Sequence, residues 1–289
     1  LRRSSPPMKR SRNTDLKNQP KRNFLDGRFR FFLPAKRKKT VNRRILLMTL
    51  GALSIVPTLA LGKGTRPTDE NIRALLAAGE EETAAVLEEP FVREVAAGTL
   101  SKDAFAWYFA QNLHYLDNYA LSFDRFGDRL EGDDRALCRR WAEETRAMKP
   151  WTEGLFTKIV GGKPEESPFY VLRPTTAAYM RHERESAEHA PLLAGFAALL
   201  PCFTVYERMG TTIASTRKLV GNPYAEWLSA YGDPAYSETV DLAVNLAARL
   251  GSEASPEEWK RARTAYRTSC GFERRLFEAA YLLEEPDLR

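Results

Sequence analysis

Three side chains able to do chemistry interrupt apolar helical stripes in this chain, and each is of a different type. Near the C-terminus the stripe Tyr266, Cys270, Glu273, Phe277, Ala280 and Tyr281 carries a carboxylate at its centre. A carboxylate in that position must be paired or have its pKa raised by desolvation, which makes it a candidate general acid or base. In "ALLPCFTVYERMG" the stripe is Leu199, Cys202, Tyr206, Met209 and Gly210, with Cys202 and Tyr206 on one face at a spacing of four. In "WYFAQNLHYLDNY" the stripe is Phe105, Tyr108, Phe109, Asn112, Tyr115, Leu116 and Tyr119, and its midpoint is a primary amide. Tyr179 in "PTTAAYM" and Tyr231 in "SAYGD" add phenols on inner faces. A thiol, a carboxylate, an amide and a ring of hydroxyls projecting into a bundle suit a flat, polar heterocycle. Aromatic faces stack on such a ring while the polar groups read its nitrogens. Each residue also has a plainer reading: Cys202 as a core filler, the tyrosines as boundary residues, Glu273 as a surface partner of Arg274 or Arg275. Their coincidence on three long helices favours a site.

The elements that must position these groups all read at helical period. Thr68 is a predicted N-cap for a helix reaching about Glu89, "PFV" at Pro90–Val92 starts a short helix, and Ser101 caps a long one to about Leu130. Another spans roughly Asp134 to Val160, broken or kinked at Pro150, before the loop "GGKPEESP". Further helices are predicted from about Thr175 to His189, Pro191 to Leu219, Pro223 to Tyr231, Pro234 to Leu250 and Pro256 to Leu283. No stretch shows convincing period-two alternation, an internal repeat or a Gly-rich phosphate loop. The expected fold is an all-α, multi-helix bundle over residues 67–289.

Charge divides the chain at the same place. Of the net +6, residues 1–66 carry +16 (18 Lys/Arg against Asp15 and Asp26), and residues 67–289 carry −10 (26 Lys/Arg against 36 Asp/Glu). A nucleic-acid-binding domain needs a basic patch on its folded body, so that class is disfavoured. Cys138, Cys202 and Cys270 are too scattered for a disulfide framework or a zinc site. The leader, residues 1–66, joins a Lys/Arg-rich stretch to the apolar run "ILLMTLGALSIVPTLALG" at 45–62. A basic region, an apolar region and a small-residue end describe a signal peptide, and Arg43-Arg44 is similar to a twin-arginine signal. An export signal reading through segment 43–62, a membrane anchor and an upstream start all stay open; Pro57 and the modest length disfavour a permanent span.

The motifs "PFVREVAAGTL", "YFAQNLHYL", "PTTAAYMRH", "ALLPCFTVYERMG", "NPYAEWLSAYG" and "CGFERRLFEAAY" stand in the order and spacing of the TenA family. The resemblance, covering about Glu89 to Tyr281, is to thiaminase II or aminopyrimidine aminohydrolase proteins, which have a haem-oxygenase-like helical fold and no haem. It implies Cys202 as the nucleophile that adds to an electron-poor pyrimidine, and Glu273 as the carboxylate that shuttles protons. It implies Tyr115, Tyr179, Tyr206 and Tyr231 as substrate-binding residues. It places Asn112 where the family has an Asp; Asn keeps a donor and an acceptor for a pyrimidine edge but holds no proton or charge. "AEETRAMKPW", after Trp141, lacks the Glu/His pattern the family leads one to expect. The resemblance further implies thiamin salvage in the cytoplasm, a homotetramer, no cofactor and no metal, with export as the alternative location.

Two rival readings remain. "HERESAEH" places His182, Glu185 and His189 on one helix face, and with His114 and Glu143 or Glu144 they suggest a di-iron oxidase on the same fold. The run is so charged that a solvated helix face is the plainer expectation, and a metal site leaves Cys202 and Glu273 unexplained. PqqC-type chemistry needs a cluster of His and Arg donors that the chain does not display. The other rival is a pyrimidine binder without turnover, kept open by Asn112.

Overall fold

The computed structural model describes residues 65–287, and these form helices joined by short connections, with no strand among the described residues. The leader readings at 1–64, including the signal-like segment 43–62, lie outside the described residues. Among the described residues eleven α-helices follow one another: α1 Glu70–Ala77, α2 Glu80–Glu88, α3 Pro90–Ala97, α4 Lys102–Gly127, α5 Gly132–Ile159 and α6 Pro174–His189 come first. Then come α7 Leu192–Leu199, α8 Pro201–Thr216, α9 Ala225–Tyr231, α10 Pro234–Leu250 and α11 Pro256–Leu282. The boundaries follow local chemistry. Ser101 accepts a hydrogen bond from the Ala104 amide, and Ser255 forms a reciprocal capping box with Glu258. Pro opens α3, α6, α8, α10 and α11, where the missing N–H costs nothing.

Four expectations from the sequence need correction. The first cap is Asp69, whose side chain accepts from the Ile72 amide, and not Thr68. The single helix expected up to Glu89 is two, α1 and α2, parted at Gly79. A Cβ there would meet Cys270 Sγ at 2.5 Å, so the junction lies flush against α11. The helix expected from Pro191 to Leu219 is also two, α7 and α8. Pro201 cannot donate a backbone hydrogen bond, yet Leu200 keeps helical angles (φ −65°, ψ −33°). The chain therefore passes from α7 to α8 without leaving helical conformation. By contrast α5 runs through Pro150 unbroken.

The long helix α4 lies at the centre, packed on α5 and α6, while α11 packs on α7, α2 and α6. Among the residues these helices bury completely are Trp107, Trp141, Phe105, Phe109, Phe123, Phe196 and Phe277. Arg66, grouped with the leader by composition, is bound to this body: it donates to Asp241 at 2.6 Å and to both oxygens of Glu207 at 2.9 Å.

The crossing of α8 with α9 depends on Gly210. A Cβ at that position would lie 2.3 Å from the Tyr231 carbonyl carbon and 2.5 Å from its oxygen, both backbone atoms that cannot rotate away. Gly154, exposed on α5, has open space around its Cβ position. Gly210→Ala is thus expected to cost about 1–3 kcal/mol by overpacking and to displace Tyr231. Gly154→Ala is expected to stabilise by roughly 0.5–1 kcal/mol through helix propensity. Thermal melts of the two variants beside the parent check the opposite signs.

Candidate active site

The interior between α4, α6, α8, α9 and α11 collects phenols around two carboxyls and one thiol. Glu273 projects from the middle of α11 and is 1% exposed. The Tyr179 hydroxyl, from α6, donates to its Oε1 at 2.8 Å, and the Tyr206 hydroxyl also bonds the carboxylate. Arg274 and Arg275 do not neutralise it. Arg274 turns outward to Glu82 at 2.8 Å and Glu89 at 3.2 Å, while Arg275 stacks over the Phe272 ring. Burial therefore pushes the Glu273 carboxyl up to about 7, against the opposing pull of its Tyr179 and Tyr206 hydrogen bonds. Both protonation states are populated near neutral pH, as a proton shuttle requires.

Cys202 lies in the first turn of α8, set there by Pro201, and keeps some accessible surface while most groups around it are buried. Burial, and next the Glu273 charge, push its thiol well above the ordinary range; the Tyr115 and Tyr119 hydroxyls stand against the sulfur and favour the thiolate. At rest the sulfur holds its proton, so attack requires a base. Tyr206, four residues on, packs its ring 4.8 Å from that of Tyr231 and shares a short hydrogen bond with the Tyr108 hydroxyl. The Tyr115 and Tyr179 ring centroids are 5.3 Å apart. The Tyr236 hydroxyl donates to the Cys202 carbonyl at 3.0 Å, fixing the backbone that carries the thiol.

Six of the seven residues singled out in the sequence thus meet in one cluster: Cys202, Glu273, Tyr115, Tyr179, Tyr206 and Tyr231. Asn112 differs. It shares a face of α4 with Tyr108, Tyr115 and Tyr119, but it is half-buried, and its side chain makes no hydrogen bond among the described residues. The buried amides of that helix are its neighbours. Gln111, 0% exposed, donates to the Phe169 and Val171 carbonyls and accepts from the Arg173 amide, and Asn118 donates to the Met180 carbonyl.

The residues of the suggested metal site go to separate places. His114 meets the Tyr170 carbonyl at 2.6 Å, His182 meets the Ser269 hydroxyl at 3.1 Å, and His189 is exposed beside Glu188. Among the described residues no group of three or more His, Cys, Asp or Glu is gathered for a metal ion. The run "HERESAEH" is not wholly a solvated face, however. Glu183, within it, is 0% exposed, and the Tyr115 hydroxyl donates to its Oε1 at 2.8 Å. The spacing Thr176, Tyr179, Glu183, Ala187 is the signal that marks this buried face.

The helical bundle that encloses the thiol and carboxyls has a haem-oxygenase-like fold. Solved structures agree on the fold. A TenA homologue from P. horikoshii matches with a TM-score of 0.65 at 22% identity, covering 73% of this chain and 98% of that one. A domain of heme oxygenase-like fold from Shewanella denitrificans matches with a TM-score of 0.59 at 15% identity, covering 73% and 92%. The chain belongs to the TENA/THI-4/PQQC family, whose model matches residues 83–282. It is 26% identical over 196 residues to an aminopyrimidine aminohydrolase of Halalkalibacterium halodurans, covering 66% of this chain and 87% of that protein. It is also 26% identical over 215 residues to a thiamine biosynthesis multifunctional protein, ThiED, of Corynebacterium efficiens; the match covers 74% of this chain and spans only 29% of that longer protein.

The raised Glu273 carboxyl has a consequence for stability. The folded protein holds this proton more tightly than the unfolded chain, so the contribution is complete below about pH 4.5 and is lost as pH rises to about 7. Glu273→Gln does not titrate. It is expected to match the parent at pH 4.5 and to exceed it at pH 8 by up to about 3 kcal/mol. Denaturant unfolding at the two pH values checks this.

Proposed function

We propose that this protein is a hydrolase of the aminopyrimidine aminohydrolase, or thiaminase II, type, acting on thiamin-related pyrimidines in thiamin salvage. The observation that carries the proposal is the buried Glu273 carboxyl, to which Tyr179 donates at 2.8 Å, raised by burial to about 7 and near enough for its charge to act on the Cys202 thiol. In this reading the Cys202 sulfur adds to an electron-poor carbon of the pyrimidine, and Glu273 delivers a proton to the ring. Loss of the amine restores conjugation, with the proton supplied to the departing nitrogen, and water then displaces the sulfur. Tyr179 and Tyr206 hold Glu273 at its station, and Tyr115 and Tyr231 complete the enclosing wall. The names of the curated relatives support the reaction class, and the site's polarity supports a flat nitrogen heterocycle. Asn112, unbonded on the cluster's side of α4, is the group left to read the edge of such a ring.

The same unbonded amide favours a second reading, a pyrimidine binder without turnover. One assay separates the two: ammonia release from 4-amino-5-aminomethyl-2-methylpyrimidine. Cys202→Ser and Glu273→Gln are each expected to lower kcat at least about a hundredfold while the fold persists. Ammonia release undiminished in Cys202→Ser would refute the nucleophile. No release from the parent, together with a pyrimidine-dependent rise in Tm, would establish the binder.

A further inference from the structure

A helix needs acceptors for the free amides of its first turn, and α6 does not supply one from its own N-cap. Arg173, the N-cap residue, makes no capping hydrogen bond, and Pro174 follows it. The cap comes instead from 109 residues further along the chain. Glu284 turns its carboxylate onto Thr175, accepting from the amide at 3.1 Å and from the hydroxyl at 2.7 Å. A negative charge suits that end of the helix dipole. The same residue is fixed on a second helix, because its carbonyl accepts from Trp107 Nε1 of α4 at 3.0 Å. Reaching this place takes an uncommon turn. Leu283, which closes α11, has φ +54°, the only positive φ of a non-glycine residue among the described residues. A side chain is strained in that conformation, and the turn is what brings Glu284 back to α6.

Along α6 this cap is the outermost of three rungs. Thr175, Tyr179 and His182 stand at i, i+4 and i+7, on one face of the helix. They meet Glu284, Glu273 and Ser269 in turn, at 2.7, 2.8 and 3.1 Å, so the partners run backwards along α11 and the turn after it. The Phe272 ring stacks on Tyr179, with centroids 5.2 Å apart, and lies 5.5 Å from His182. The site carboxyl is therefore the middle rung, and the rungs on either side fix the register of the two segments. We propose that Glu284 is a positioning residue for the site: by capping α6 from beyond α11, it holds the Tyr179 hydroxyl at hydrogen-bonding distance from Glu273. Thr175 lies one turn before Tyr179, so fraying of the first turn is felt directly at the phenol. A small displacement of a group that orients a proton donor is costly to rate.

The proposal rests on Glu273 being the carboxyl of the proposed hydrolase, yet its test needs no turnover. The 13C carboxyl resonance of Glu273 is followed against pH in the full chain and assigned by its loss in Glu273→Gln. In the parent its midpoint is expected at about 7, a value the Tyr179 hydrogen bond pulls down, so losing that bond moves it up. Removing the Glu284 charge alone moves it the other way. The other titratable groups around Glu273 are Tyr108, Tyr115, Glu183, Cys202, Tyr206 and Tyr231, and every variant of Glu284 keeps them. Glu284→Ala is expected to raise the midpoint and to lower kcat for ammonia release about tenfold, with KM changed by less than about twofold. Glu284→Gln loses the charge but keeps an acceptor for the Thr175 amide, and is expected to restore both. Thr175→Val removes only the hydroxyl bond; it is expected to raise the midpoint by less, and it carries the test if Glu284→Ala does not fold. Glu258→Ala, which breaks the capping box at the opposite end of α11, controls for general loosening and is expected to leave the midpoint in place. An unmoved or lowered midpoint in Glu284→Ala, no rescue by Glu284→Gln, or an equal rise in Glu258→Ala overturns the assignment. If the midpoint rises but the parent releases no ammonia, the positioning stands and the hydrolase reading falls. If ammonia is released and Glu284→Ala matches the parent in midpoint and kcat, the hydrolase stands and the positioning falls.

Discussion

Desolvation is the interaction on which the rest of this structure depends. Tyr108, Tyr115, Tyr179, Tyr206, Glu183 and Glu273 are each 5% exposed or less, and all present polar atoms to one interior. Unpartnered, such atoms would cost several kcal/mol apiece. The fold answers by pairing phenols with carboxyls and with each other, which needs donors arriving from α4, α6, α8 and α11 at fixed separations. That requirement explains the length of α4 and α11. It also explains why glycine stands where α8 meets α9. The helices are spaced to satisfy the polar atoms as much as to pack the rings.

The same desolvation produces the reactivity. In water a thiol and a carboxyl differ by several pKa units, and a carboxylate is a poor base for sulfur. Enclosure moves both upward, but the carboxyls have more room to move, since their charged forms lose more hydration. The bundle thus brings weak acid and weak base towards each other, and among the described residues no cationic side chain is ion-paired with Glu183 or Glu273. The arrangement is costly to stability at neutral pH, a price consistent with function rather than with folding.

Much of this was legible in the sequence, for a physical reason. Glu273 and Cys202 each break an apolar stripe at helical spacing, and an isolated break in a long stripe has few structural uses. The helix limits that rest on Ser101, Pro234 and Pro256 were equally readable, because caps and N-terminal prolines act locally. What was not readable depended on contacts from elsewhere in the chain. The split at Gly79 exists because Cys270, far along the chain, presses on it. Glu183 was hidden by its company: Arg181, Arg184, Glu185 and His189 do face solvent, and a charged run disguises one buried member. The burial of Gln111 goes with the loop at 169–173, whose position no periodicity reveals.

The adjacency of Gln111 and Asn112 divides labour along two consecutive residues. Gln111 ties down the loop with three backbone hydrogen bonds, while the Asn112 side chain makes none among the described residues. Position 112 is therefore a place where sequence can drift cheaply. A change there breaks no hydrogen bond among the described residues, whereas the same change one residue earlier would unfasten the loop. Two neighbouring amides on one helix thus stand at opposite ends of tolerance to substitution, one open and one bolted.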